Sequence, residues 1–163
     1  MIKSYSVNTL LILFLSFKVA PSFGQVSLHA QIDRIAQKIK GNVGMYATII
    51  ETGDRVSYNG KKKFPMQSVY KFPIAMAILD KVDKGQFALE QKIHIYKSDI
   101  ITIGHSPIRK KYPNGDVDIS IAELLRYNIS ESDGTACDIL LRILNGTKKA
   151  NQYIHKLGVK TLK

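Results

Sequence analysis

Several scarcities narrow what this chain can be. It has one cysteine, so no internal disulfide is open to it; Cys137 falls in "TACDILL", an apolar helical pattern, and reads as a buried core thiol. Its four histidines, His29, His94, His105 and His155, lie far apart with no ligand spacing, which argues against a metal site. Acidic side chains are few, 13 against 24 basic ones, for a net charge of +11. The lysines are nevertheless spread along the chain, at Lys61 to Lys63, Lys110–Lys111 and Lys148–Lys149, without interleaved aromatics. That pattern reads as a solvated basic surface and not as a nucleic-acid platform. No apolar run is long enough to span a bilayer. Repeats and low-complexity segments are absent as well.

What is present is a chain of 163 residues, 45% apolar and 23% charged, of a size and composition suited to one folded domain. Its first segment stands apart. Lys3 supplies a basic start, "LLILFLSF" (residues 10–17) an apolar core, and "PSFG" small residues Ser22 and Gly24 at the −3 and −1 places. This order is that of a secretory leader, so residues 1–24 are expected to be a signal peptide cleaved before Gln25, with periplasmic or secreted protein as the outcome. Loss of Lys3 and Lys18 with the leader takes the net charge from +11 to +9.

The rest alternates in pattern. Leu28, Ile32, Ile35, Ala36 and Ile39 recur at helical spacing and stop at Gly41. "VGMYATIIET" reads as a strand, residues 52–54 as a turn, and "RVSYNG" as the second strand of a hairpin. A helix is predicted from about Ser68 to Lys84, with Phe72, Ala75, Met76, Leu79 and Val82 on its buried face and Gly85 at its end. Residues 86–117 read as a long loop with short elements, punctuated by Gly104, Pro107 and Asn114-Gly115. Three helical stretches follow: one opened by Ser120 and Glu123 as a capping box, one resuming at "TACDILLRIL", and one starting at Thr147 as N-cap and ending at Gly158. The fold class is thus α+β: residues 25–60 form part of an α/β region and residues 61–163 a mainly helical one. Two strands make a marginal sheet, so the sheet reads as unfinished.

Within this frame "MQSVYKFP" stands out. Ser68 and Lys71 are three residues apart at a predicted helix start, so they share a face. A helix start also offers free N–H groups to a developing oxyanion. A lysine acts as a base only when its amine is neutral, and burial favours that form. The pair is the single Ser-x-x-Lys of the chain. Further on, "SDG" (residues 132–134) interrupts two helices. Ser132 on such a loop can face the first site and relay a proton; equally, Asp133 can cap the next helix with Ser132 as turn filler.

Taken together, "QSVYKFPIAMAILDKVDKGQ", "SPIRKKYP" and "ISIAELLRYNISESDGTACDILL" occur in the order of the N-terminal half of class A serine β-lactamases, and the chain resembles the longer-loop, cephalosporinase-type branch of that family over nearly all of residues 25–163. The resemblance implies a cofactor-free hydrolase of small-molecule β-lactams, monomeric, with no stable membrane anchor once the leader is removed. It implies that Ser68 attacks the lactam carbonyl, that Lys71 takes or shuttles the proton, and that Ser132 passes a proton to the departing nitrogen. Gly134 and His105 would lie against the substrate, His105 as an aromatic gate, with an exposed loop histidine as the alternative. Gly134 departs from the family pattern, which usually has Asn there. The family's later glutamate and Lys-Thr-Gly strand have no counterpart after "KLGVKTLK", so the chain reads as a truncated portion of the fold. Alternatives are a penicillin-binding D,D-peptidase, which shares Ser-x-x-Lys, and an inactive remnant.

The leader generates a direct test. Mass spectrometry of protein taken from the cell envelope should show Gln25 as the mature N-terminus; an intact Met1 on cytoplasmic protein would remove the export reading.

Overall fold

The computed structural model describes residues 27–159, and the signal peptide expected over residues 1–24 lies outside them. The chain divides between Phe64 and Pro65 into two compact units. In the first, α1 (Leu28–Ala36) is capped by the Ser27 side chain, which accepts from Ala30 N. It ends before Gly41, where the spacing alone had placed its stop. Strands β1 (Met45–Thr48) and β2 (Arg55–Tyr58) form the expected hairpin, antiparallel, with Met45 opposite Tyr58 and Thr48 opposite Arg55. The Tyr58 hydroxyl donates to Asp33 Oδ1 at 3.0 Å and so ties α1 to β2.

The second unit opens with a four-residue 3₁₀ turn, Gln67–Tyr70, that runs straight into α2 (Lys71–Asp83). Pro73 sits in the first turn of α2, where a helix has no use for its missing N–H. The buried face of α2 differs from the predicted one. Ile74, Ala75, Ala77 and Ile78 are buried, whereas Phe72 and Leu79 are exposed. Apolar residues occupy nearly every position of this helix, so their spacing selects no face, and its neighbours decide which side is buried.

The main correction concerns residues 86–117. They hold a strand, β3 (Lys92–Ile95), which pairs antiparallel with β4 (Val117–Ser120), Lys92 opposite Ser120 and Ile95 opposite Val117. The mainly helical region therefore contains a second two-stranded sheet. The alternation was present in "KIHI" and "VDIS", with Ile95 and Ile119 buried, but each run is short and dense turn signals separate them. Between the strands lie a 3₁₀ turn (Lys97–Asp99) and α3 (Pro107–Lys111). Gly115 makes the return possible. Its φ is +65°, and a Cβ there would come within 2.5 Å of the Tyr96 backbone.

Helix α4 (Ile121–Ser130) follows β4 without a break. Ser120 caps it by accepting from Glu123 N, but the Glu123 carboxylate turns to Arg126 at 3.0 Å, so only half of the capping box is formed. Helix α5 (Gly134–Ile143) is followed by α6 (Thr147–Lys156), whose N-cap is Gly146 at φ +92° and not Thr147. One core gathers α2, α4, α5, β3 and β4, with Ile78, Ile95, Ile121, Leu124, Ile139 and Leu140 almost fully buried. Burial of such side chains, at roughly 1.5–3 kcal/mol each, is what joins the helices to the small sheet.

Cys137 lies wholly inside that core. Burial, reinforced by the charge of Asp138, pushes its thiol up to about 11, with Tyr70 and Lys71 opposing. A raised thiol contributes stability below its unfolded value, and that contribution fades as the pH climbs toward 11. At pH 8 a disulfide reagent should therefore label the unfolded protein and leave the native one untouched; fast labelling of native protein would show that the thiol is accessible.

Candidate active site

Ser68 sits within the 3₁₀ turn and Lys71 is the first residue of α2, so the three-residue spacing spans the junction of two helix types. Ser68 is exposed, while Lys71 is only 6% exposed. The residue before the serine, Gln67, has φ +47°, a left-handed conformation rare for a residue with a Cβ. Strain of this kind persists only where the surroundings impose it.

A second strained residue faces the first. Ser132, between α4 and α5, has φ +52°. Its hydroxyl lies 2.8 Å from Ser68 Oγ and 3.1 Å from Lys71 Nζ. The same nitrogen also donates to the Ser132 carbonyl oxygen. Ser132 is thus the bridge: Lys71 reaches Ser68 through its hydroxyl. The left-handed turn is what lets one residue aim both its carbonyl and its hydroxyl at Lys71.

Three contacts hold that loop. Asp133 N donates to Tyr127 O at 3.0 Å and Gly134 N to His105 O at 2.9 Å. His105 Nε2 lies 3.0 Å from Glu131 O, and since a carbonyl can only accept, the ring donates from that nitrogen. The capping reading of Asp133 also holds. Its side chain accepts from Ala136 N at 2.9 Å and from Ile108 N at 2.7 Å, and Ser106 Oγ lies 3.0 and 3.1 Å from its two oxygens. Asp133 is completely buried. Cap and bridge are therefore adjacent residues with separate tasks.

Ser68, Lys71, His105, Ser132 and Gly134 line one cavity of about 290 Å³. A larger groove, about 690 Å³, lies between the end of α2 and α6; it is lined by lysines and carries no nucleophile. Chemistry and not size selects the smaller one. Six residues that the sequence did not nominate belong to the site. Tyr70, Ile101, Ile103, Gly104 and Asp138 line the same cavity. Burial raises the Asp138 carboxyl, while the charge of Lys71 pulls it down. Asn128, 1% exposed, donates from Nδ2 to Lys71 O at 3.1 Å and so fastens α4 to the start of α2. Its signal was visible as a lone amide on the apolar face of α4. Its Oδ1 has no hydrogen-bond partner among the described residues. Among those residues no three ligand side chains gather as a metal site would need, and no helix is long and apolar enough to cross a membrane.

Known proteins are similar to this chain in sequence and in the arrangement of its elements. A family described as the beta-lactamase enzyme family matches residues 27–163. The chain belongs to that family. It is similar to a beta-lactamase of Bacteroides uniformis, 41% identical over 132 residues, which make up 81% of this chain and 44% of the relative. It is 36% identical to the beta-lactamase VEB-1 of Pseudomonas aeruginosa over 90% of this chain and 49% of the relative. Among solved structures, a beta-lactamase from Chitinophaga pinensis superposes with a TM-score of 0.76 at 45% identity, covering 81% of this chain and 48% of the other. A representative class A beta-lactamase from Bacteroides cellulosilyticus gives a TM-score of 0.72 at 39% identity, over 80% of this chain and 47% of the other. The mixed helix-and-sheet class read from the sequence is thus that of class A beta-lactamases. The chain spans about half the length of the relatives it matches.

The buried Asp133 invites a stability test. Asp133→Asn keeps the shape but puts an NH₂ where one of two backbone amides needs an acceptor. Loss of bonds to a charged acceptor, together with an unsatisfied buried donor, should cost about 3 kcal/mol or more. A denaturant melt reads this as a lower midpoint; a midpoint equal to the parent's would show that the carboxylate does not hold the loop.

Proposed function

We propose that the full-length protein opens the β-lactam ring through a serine acyl-enzyme, with Ser68 as nucleophile, Lys71 as proton acceptor and Ser132 as relay. The observation that carries this is the hydrogen-bonded line from Ser68 through Ser132 to Lys71 at the floor of one cavity, in a chain of the beta-lactamase family. Ser68 Oγ attacks the ring carbonyl carbon and its proton passes by way of the Ser132 hydroxyl to the lysine amine. As the ring C–N bond breaks, the lysine returns the proton to the Ser132 hydroxyl, which gives its own to the ring nitrogen. The product is an ester on Ser68 and a free amine on the opened ring. The transfers among Ser68, Ser132 and Lys71 run between groups already within hydrogen-bonding distance, which is the condition for general acid–base catalysis.

His105 and Gly134 form part of the cavity wall against which the substrate rests. In this reading His105 is a rim residue whose ring is held toward Glu131, and its side chain limits the width of the entrance. The basic, apolar and small-residue pattern of residues 1–24 supports export to the periplasm or the medium, and the protein acts there as a monomer without a cofactor.

A fluorescent penicillin tests the assignment. It should attach covalently to Ser68 in the full-length protein, and Ser68→Ala should abolish the label. Lys71→Ala should slow labelling by about 10²–10⁴-fold, the usual contribution of a positioned base. Label that survives Ser68→Ala would take the serine out of its role.

A further inference from the structure

Gly134 opens α5 next to Ser132, and its backbone is not in the left-handed region. Conformation therefore does not demand glycine here. Space does: a Cβ at 134 would lie 2.4 Å from Ile101 Cδ1 and 3.3 Å from His105 O. The place a side chain at 134 would take is already filled by the δ-methyl of Ile101.

The residue that carries this methyl is anchored through its backbone. Ile101 N donates to Thr135 Oγ1 at 3.3 Å, and Ile101 O accepts from Arg109 Nη1 at 2.8 Å. The second guanidinium nitrogen of Arg109 donates to Gly104 O at 2.7 Å, so one arginine laces both ends of the rim. Isoleucine is also stiff at χ1. With the main chain pinned on both sides, the branch at Cβ has little choice of direction, and the δ-methyl can leave the space over Gly134 only by a turn of χ2. Ile101 is part of the wall that also includes Ser68 and Lys71, and Ile103, 87% exposed, extends the same rim. Ile101, Ile103, Gly104 and Gly134 together offer hydrocarbon and no side-chain hydrogen-bonding group. An apolar substituent resting on this stretch gains by leaving water, and the polar partners of the cavity, Tyr70, Ser132 and Asp138, lie outside it.

We infer that Ile101, set into the space over Gly134, is a specificity-determining residue of the site and favours substrates that carry an aryl or alkyl acyl substituent over those that carry none. The inference rests on the proposed acyl-serine reading and deepens it. It also makes residues 101 and 134 a coupled pair: a side chain can enter at 134 only if that at 101 retreats.

The experiment compares rate constants for covalent modification of Ser68 in the full-length protein by two penicillins with one nucleus. Benzylpenicillin carries a phenylacetyl group, and 6-aminopenicillanic acid has only the amine. Ile101→Ala should lower the ratio of the two rate constants about tenfold, the discrimination that a small loss of apolar contact brings. Ile101→Val, which keeps the shape of the loop, should lower it less and in the same direction. Gly134→Asn should slow modification by benzylpenicillin, and adding Ile101→Ala should recover part of that loss, since contacting residues do not act additively. An unchanged ratio in both Ile101 variants, or strictly additive losses in the double variant, would overturn the inference while leaving the acyl-serine reading in place. If neither penicillin modifies Ser68 in the parent, that reading falls and takes the inference with it.

Discussion

The carboxylate of Asp133 organises the candidate site without taking part in it. A charge this deep in the protein is costly unless donors surround it. Ser106, Ile108 and Ala136 supply them from the starts of two helices, α3 and α5. The requirement works in both directions. The carboxylate needs those donors, and they fix where α3 stands against α5. Between these anchors run the loop that carries Ile101, Gly104 and His105 and, one residue before the carboxylate, Ser132. The floor and one wall of the cavity are thus set by a single buried acceptor.

Around that anchor the chain accepts local strain where chemistry needs it. Gln67 and Ser132 both lie in the left-handed region although each has a Cβ, at a cost of order 1–3 kcal/mol apiece. They flank the two hydroxyls that meet at 2.8 Å. Lys71, nearly buried, is fastened at both ends: its amine by Ser132 and its main-chain carbonyl by Asn128. A flexible four-carbon side chain is in this way reduced to one useful position, and the entropy of holding it there is met by folding and not at the moment of binding.

Much of this was legible beforehand, for reasons particular to each element. The junction at Ser68 announced itself because nucleophile and lysine are local in sequence, three residues apart. Ser132 was visible as a break between two apolar helical patterns. The β3–β4 sheet was not legible, because its two four-residue strands lie more than twenty residues apart and such runs carry little signal. The buried face of α2 was misread because a helix that is apolar nearly all round has no preferred side until its neighbours are known. Asn128, Ile101 and Asp138 escaped notice for a common reason. Each acts through a partner distant in sequence: Asn128 reaches Lys71, Ile101 fills the space at Gly134, and Asp138 faces the cavity only because α5 turns it there.

One feature of Ser132 bears on how such a site changes over time. Lys71 is held by two atoms of this residue, the hydroxyl and the main-chain oxygen. Only the first belongs to the side chain. The grip on the lysine is therefore partly independent of which amino acid occupies position 132, provided the backbone keeps its left-handed turn. The relay proposed for Ser132 and its mechanical support of Lys71 are thus separable at a single residue. Drift at this position would remove the hydroxyl between Ser68 and Lys71 first and leave the scaffold intact, so that a folded descendant with an anchored lysine and an unlinked serine is a near neighbour of this arrangement.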